Sequence, residues 1–459
     1  MSKIKLFLQK NIDVICTLLF SAFMLLQLIA LRMANGAGSG YLPDVWQGRV
    51  YLFIQIIVIT GIICHILLYR LISKKIGYGG IIAAVSVLCA SLAEIMLFMP
   101  AGSAAFLVVS AIAVLCLGFV CGAVYLKISQ LINEGARAGV CIALGYSLAV
   151  ALQYVFQLKW TVKHVLALFP VLSAAALAYS FLHKASHEDI EGREERKPSP
   201  RSMPIFIITV TFAMMVFTHF YNIYLHQLQV STGYTGHSAY SWPRLLMIPA
   251  MLLLGLLAEV KQGRLLPIGS LCVVVIAMLN AMLGEGDTYL LGMCLYYISL
   301  AAVVAYYHVT FLKAAQSTKT PALWAVMGRM LDSLFVIITF IPGISSLSGL
   351  AVLALDIAAL CIMVVFMALN GDLVLSLPTQ QKPEPADPFP AIAEQYGITP
   401  GELRVLREVV LTDDKHEAIA LRLGVSVSTV RHYVSSIYKK TGTQTRLALS
   451  KLVDGVRKQ

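Results

Sequence analysis

The sequence predicts an all-α protein built from two unlike parts: a twelve-helix integral membrane domain, arranged six plus six, and a small four-helix domain at the C-terminus. Three observations carry this. Of 459 residues, 58% are hydrophobic and only 13% are charged, whereas soluble domains run at roughly 45–50% apolar and about 25% charged. The apolar excess falls in runs of about 20 residues, the length that crosses a bilayer as a helix. The excess then stops, and residues 391–459 have ordinary composition with a helical period. The same composition excludes a disordered chain, a coiled coil and a disulfide-rich secreted scaffold.

The apolar runs place spans near 12–32, 50–72, 78–99, 102–126, 137–158, 162–183, 204–226, 241–260, 265–284, 288–312, 321–342 and 349–370. The first is too long for a signal-peptide core and leads into Arg32 rather than a small-residue cleavage site. With the N-terminus inside, the inner segments up to the twelfth span hold 17 Lys and Arg. The outer segments hold five, Arg32, Arg49, Lys159, Lys163 and Arg244. That asymmetry follows the positive-inside bias. It predicts an inner-membrane protein whose N- and C-termini are both cytoplasmic.

The formal net charge of +11 divides between the parts, since residues 391–459 carry 11 Lys/Arg against 7 Asp/Glu. A surplus of this size does not by itself indicate a nucleic-acid partner. All nine cysteines sit in apolar stretches, with no CxxC spacing. Small apolar fillers are the simplest reading of them, and neither a metal site nor any cofactor is expected.

The longest inner loop, 184–203, separates six spans from six. Related loop sequences lie in each half: YRLISKKIGYG after the second span and GLLAEVKQGRL after the eighth. The second resembles the loop signature of major facilitator transporters, with Gly255, Glu259, Lys261, Gly263 and Arg264 at its places. The first keeps Arg70, Lys74, Lys75 and Gly77 but lacks the acid. The resemblance implies a major-facilitator-like fold of two six-helix halves around a midplane cavity, covering 1–371.

Residues 372–390 contain Pro378, Pro383, Pro385, Pro388 and Pro390. A proline-rich linker of extended polyproline character is expected there, and plain disorder would tether the next domain equally well. From 391 onward, Thr399, Pro400 and Glu402 form a capping-box signature for a first helix that buries Leu403, Leu406, Val409 and Val410. A second helix runs from about His416 to Leu423, stopped by Gly424. Ser426 caps a third, with Val430, Val434 and Ile437 inward, ending at Gly442. A fourth runs from about Thr445 to Val456. Two short helices around a glycine turn, the second basic on its outer face, make a helix-turn-helix pattern.

These residues resemble the LuxR/NarL-type DNA-binding domain. The matches, in order, are Thr399, Glu402, Val405, Leu406, Glu417, Ile419, Ala420, Leu423, Gly424, Val425, Ser426, Thr429, Val430, Ile437, Lys439, Lys440, Gly442, Arg446 and Ala448. Departures are Gly401 where Arg is usual, Arg404 where a second acid is common, Tyr433 where His is frequent, and Thr441 in place of Leu. The last is expected to loosen the end of the third helix. By position, Arg431, His432 and Ser435 would face base edges, and Arg431 can donate a bidentate pair to guanine. The resemblance implies phosphate contacts by Ser428, Thr429, Lys439 and Lys440. Lys439 and Lys440 read equally as a solvated helix end, and His432 as an exposed bystander. Arg446 either caps a helix or meets phosphate. The resemblance also implies a homodimer through Leu447, Leu449, Leu452 and Val453, which could equally be core.

Charges at membrane depth are costly and mark cavities or partners. Glu94, Arg329, Asp332 and Asp356 are the ligand-site candidates. Arg329 and Asp332, three apart, can instead pair with each other. Glu94 has no local partner and is the stronger candidate. His65, His219, His308 and the aromatics of 217–226 and 306–309 read mainly as packing. No phosphate loop, HExxH or nucleophile elbow is present, so an enzyme is not expected. The sequence therefore predicts a membrane-bound one-component transcriptional regulator. Its partners would be double-stranded DNA, the lipid bilayer, an unidentified small-molecule ligand and RNA polymerase. The alternative is a secondary transporter with a regulatory DNA-binding tail.

Overall fold

A computed structural model describes residues 12–35, 49–72, 77–100, 103–158, 163–182, 202–233, 241–260, 265–283, 289–341, 343–344, 346–369, 388–412 and 414–457. All regular elements among them are helices, and the chain divides into two compact units, Met1–Gln380 and Gln381–Gln459.

The first unit holds α1 (Ile12–Asn35), α2 (Val50–Ile72), α3 (Tyr78–Phe98), α4 (Ala104–Asn133), α5 (Ala138–Leu158) and α6 (Leu168–Leu182). It continues with α7 (Ser202–Thr232), α8 (Met247–Leu257), α9 (Leu265–Leu283), α10 (Tyr289–Ala315), α11 (Pro321–Thr339) and α12 (Gly349–Leu369). Among the described residues, nine of these are long and apolar enough to cross a membrane. The chain is thus a multi-pass membrane protein by length and composition. The other three of the twelve expected spans are shorter apolar helices: Leu168–Leu182, Trp242–Leu257 and Leu265–Asn280. Two of these differ from expectation for one reason. Pro170 lies in the first turn of α6, and Pro243 sits in the 3-10 turn Trp242–Leu246 that precedes α8. Proline lacks the N–H that an interior turn needs, so both lie in a first turn, Pro170 within what the apolar run suggests is one continuous span and Pro243 near the start of its own.

Much of the packing of α1–α6 recurs in α7–α12, which add contacts of α10 with α11 and of α8 with α9. In the first set α1 packs on α4, α5 and α6, α2 and α3 on α4, and α3 on α6. In the second set α7 packs on α10, α11 and α12, α8 and α9 on α10, and α9 on α12. Contacts between the sets obey the same correspondence: α2 on α11 mirrors α8 on α5, α4 on α11 mirrors α10 on α5, and α4 meets α10. Small residues allow the closest approach. A Cβ on Gly139 of α5 would stand 2.3 Å from the Gly255 carbonyl of α8, and Glu259 accepts the Gly139 N–H beside it.

Several expectations fall outside the described residues. These are the loop 184–201, the linker residues 372–387, and the loop charges Lys74, Lys75, Lys261 and Arg264 with Gly263.

The second unit holds α13 (Pro388–Tyr396), α14 (Pro400–Leu411), α15 (His416–Leu423), α16 (Val427–Thr441) and α17 (Arg446–Arg457). Four of these lie where the sequence expects them. The helix α13 corrects the linker expectation. Pro388 opens it and Pro390 lies in its first turn, where the missing N–H costs nothing. It buries Phe389 and Ile392 in the core with Leu406, Ile419, Val430 and Leu449. The guanidinium of Arg407 covers the Phe389 ring at 5.3 Å. The second folded unit therefore begins before residue 391.

Candidate functional site

In the second unit, α14 is anchored first. The Thr399 N–H donates to Glu402 Oε2 (2.7 Å) and the Glu402 N–H to Thr399 Oγ1 (3.4 Å), closing a capping box. Glu402 is buried and does more than cap. Its Oε1 accepts from Ser436 Oγ (2.6 Å) and its Oε2 from Lys440 Nζ (2.6 Å), tying α14 to α16. Burial alone would raise the Glu402 carboxyl, but the Lys440 ammonium, the Ser436 hydroxyl and the Thr399 donors outweigh it and bring it down to about 2.

The helix α15 ends at Gly424, whose φ of 66° is left-handed, with the Val425 N–H closing back on the Ala420 carbonyl at 3.0 Å. That geometry favours glycine over any residue with a Cβ. Ser426 then caps α16, accepting from the Thr429 N–H at 3.1 Å. The result is two helices joined by a tight turn, with α16 also packed on α14.

The two faces of α16 differ sharply. Val430, Val434, Ile437 and Thr441 point into the core. Ser428, Arg431, His432, Ser435 and Lys439 lie on the exposed side, with Arg431, Ser435 and Lys439 one helical turn apart. Thr429 is half-buried, and its hydroxyl and that of Ser428 both meet Ser426 Oγ at 2.7 Å. Arg431 reaches Glu417 of α15 at 3.4 Å, both groups exposed.

Two of the sequence candidates have their charged ends committed within the unit. Lys440 donates to Glu402 and to the Gly397 carbonyl (2.9 Å). Arg446 donates from Nε to the Val409 carbonyl (2.6 Å) and from Nη1 to the Asp414 carbonyl (2.9 Å). Of the two roles open to Arg446, this geometry is the helix-end contact, because the last carbonyls of α14 lack partners in their own helix. Arg422 bridges Glu408 and Asp414 on the same side.

The departures from the resembled family also have places. Tyr433 Oη lies 3.1 Å from where a Cβ of residue 401 would stand, so the Tyr433 ring occupies the room that Gly401 leaves. Thr441 is buried and donates to the Ile437 carbonyl (2.8 Å), so its hydroxyl accepts from Thr443 Oγ1 (2.8 Å). The expected loosening is offset by these bonds. On α17, Leu449 and Val453 are core, Leu452 is half-buried and Leu447 is exposed.

In the membrane unit, Arg329 and Asp332 form the ion pair that their spacing allows, at 2.7 Å. Arg329 Nη1 also donates to Ser333 Oγ (2.9 Å), and Ser333 Oγ donates to Gln55 Oε1 of α2 (2.8 Å). His219 Nε2 of α7 stands 3.4 Å from the other Asp332 oxygen. A polar chain thus runs across α2, α11 and α7, and the buried Nε of Arg329 has no hydrogen-bond partner. Gln55 was legible only as a polar residue inside an apolar run, and nothing in sequence pairs it with α11.

A second polar contact joins α4 to α10. His308 Nδ1 donates to the Val304 carbonyl (2.7 Å), so its Nε2 accepts from the Tyr125 hydroxyl (2.6 Å). Tyr307 stacks on that imidazole with centroids 4.3 Å apart. His65 meets the Tyr78 hydroxyl at 2.7 Å. Glu94 is half-buried on α3, and no hydrogen bond or ion pair connects it to the α11 cluster among the described residues. Asp356 of α12 is buried, and its Oδ1 has no hydrogen-bond partner.

No family model and no curated protein matches the chain. Among solved structures, it is similar to the crystal structure of the human organic anion transporter MFSD10 (TETRAN), at 16% identity and a TM-score of 0.46, over 81% of this chain and 99% of that one.

Proposed function

We propose that this chain is a membrane-bound one-component transcriptional regulator, with a LuxR-type helix-turn-helix tail that binds DNA and a polytopic domain that supplies the input. The observation that carries this reading is the exposed stripe Arg431–Ser435–Lys439, flanked by Ser428 and His432, on a helix whose opposite face is core. A helix offering short polar and basic side chains beside a fixed turn suits the major groove. Arg431 would read a base edge and Lys439 a phosphate. Glu417, which holds Arg431 in the free protein, would give it up on binding. Lys440 and Arg446 are better assigned to holding the unit together than to DNA.

In this reading both termini are cytoplasmic. A ligand acts by binding one of two membrane-domain states more tightly, and one indifferent to both would change nothing. The fragment 381–459 should retard a DNA fragment from upstream of its own gene in a gel shift at low salt. Absence of any retardation would remove the regulatory reading.

The repeated pairings of α1–α6 and α7–α12 favour a second reading, a secondary transporter of the major-facilitator kind with a regulatory tail. Solute accumulation in vesicles bearing the protein would support it.

A further inference from the structure

Asp356 is the single charged residue of α12, and the helices that pack against it, α7 and α9, contain no Lys, Arg, Asp or Glu. Its side chain is buried in this trio, 2% exposed, with Oδ1 lacking a hydrogen-bond partner. It lies seven residues into a 21-residue helix, or ~10 Å from that end at about 1.5 Å per residue. Tyr221 of α7 is within electrostatic reach. The Tyr221 hydroxyl donates to the Gly292 carbonyl (3.4 Å) and accepts from Asn280 Nδ2 of α9 (3.3 Å). Of the remaining titratable groups of these helices, Tyr224 stacks on Tyr221 and borders Gly349 of α12, His219 meets Asp332 of α11, and His226, Cys272 and Cys361 are exposed.

An ionised carboxylate at this depth costs several kcal/mol unless something neutralises it. Arg329 neutralises Asp332 within its own helix, but α7, α9 and α12 offer Asp356 no basic side chain. We propose that Asp356 is a proton-binding site of the membrane domain, protonated while α7 and α12 are packed and released to water when their contact opens. The step is a single transfer between a carboxyl oxygen and water, with no other bond changed. Tyr221, within electrostatic reach of the carboxyl, is the positioning residue. The proposal goes beyond the regulatory reading and stands whether or not the tail binds DNA.

The test uses the full chain in lipid nanodiscs treated with dicyclohexylcarbodiimide, an apolar reagent that adds to protonated carboxyls and leaves a stable acylurea. Peptide mass spectrometry should find the adduct at Asp356, forming about tenfold faster near pH 6 than near pH 9. Asp332, held by Arg329, should react at least about tenfold more slowly than Asp356. Tyr221→Phe should move the pH profile, which a merely space-filling ring would not do. Asp356→Asn should remove the adduct from a protein that stays monodisperse. Absence of the adduct at Asp356, a rate independent of pH, or protection by Na+ at fixed pH would overturn the proposal.

Discussion

Glu402→Gln is the sharpest probe of the C-terminal unit, because one buried carboxylate joins two helices there. The glutamine keeps the shape, but its single oxygen can accept at only one of the two places, from the Thr399 N–H or from Ser436, and its NH2 takes the other. It loses the charge that Lys440 meets at 2.6 Å and that the Thr399 N–H meets at 2.7 Å. Hydrogen bonds to a charged group contribute about 1.5–3 kcal/mol each, and the Lys440 side chain is 31% exposed, which screens its share. A net loss of about 2 kcal/mol is expected, on the order of 10 °C in Tm for a unit of this size. The pH dependence has a defined sign. The carboxyl falls from an ordinary 4.5 to about 2 on folding. Its stabilisation is therefore present above about pH 4.5 and is lost as pH falls through about 2. Urea melts of the fragment 381–459, followed by circular dichroism from neutral pH downward, should show wild type and variant converging over that interval. A variant within ~0.5 kcal/mol of wild type at neutral pH, or a gap that does not narrow on acidification, would refute the reasoning.

Other outcomes follow from the same geometry. Arg431→Ala should relax preference at one base pair by about 1–3 kcal/mol, while Lys439→Ala weakens all sequences and lowers the salt slope by about one; gel shifts on a panel of operators separate them, and equal losses everywhere for both would contradict the assignment. Phe389→Ala empties a site 4% exposed and should cost about 3 kcal/mol, so a fragment starting at residue 391 should melt well below one starting at 381. In the membrane unit, Arg329→Met alone leaves Asp332 with less compensation and should cost about 3–5 kcal/mol, whereas Arg329→Met with Asp332→Leu should recover most of it; thermal unfolding in detergent measures both. Gly139→Val forces a Cβ to within 2.3 Å of the Gly255 carbonyl and should loosen the α5–α8 contact, read as a lower unfolding temperature in detergent.

The parts that the sequence made legible are those set locally. The limits of α14, α15 and α16 follow from Thr399, Gly424, Ser426 and Gly442, whose caps involve residues within a few positions of one another. The apolar runs marked all twelve helices of the first unit, nine of them long enough to span, but Pro170 was placed inside a span and Pro388 in a linker when each lies at a helix start. The side-chain partners were not legible. Nothing in the spacing of Gln55 and Arg329, or of Lys440 and Glu402, links them, because helix packing brings them together. For the same reason the sequence grouped Glu94 with Arg329, Asp332 and Asp356, while the fold gives them three different surroundings. It likewise offered Lys440 as a phosphate ligand, since only the folded unit reveals Glu402 beneath it.

The proposal that one chain both crosses the bilayer and binds a specific duplex through α16 is tested most directly by chromatin immunoprecipitation from washed membranes of intact cells. A tagged full-length protein should enrich discrete DNA sites, and Arg431→Ala should weaken that enrichment and relax the preference at one base pair of the sites, with membrane abundance unchanged. Recovery of the protein in membranes with no enriched site would contradict it.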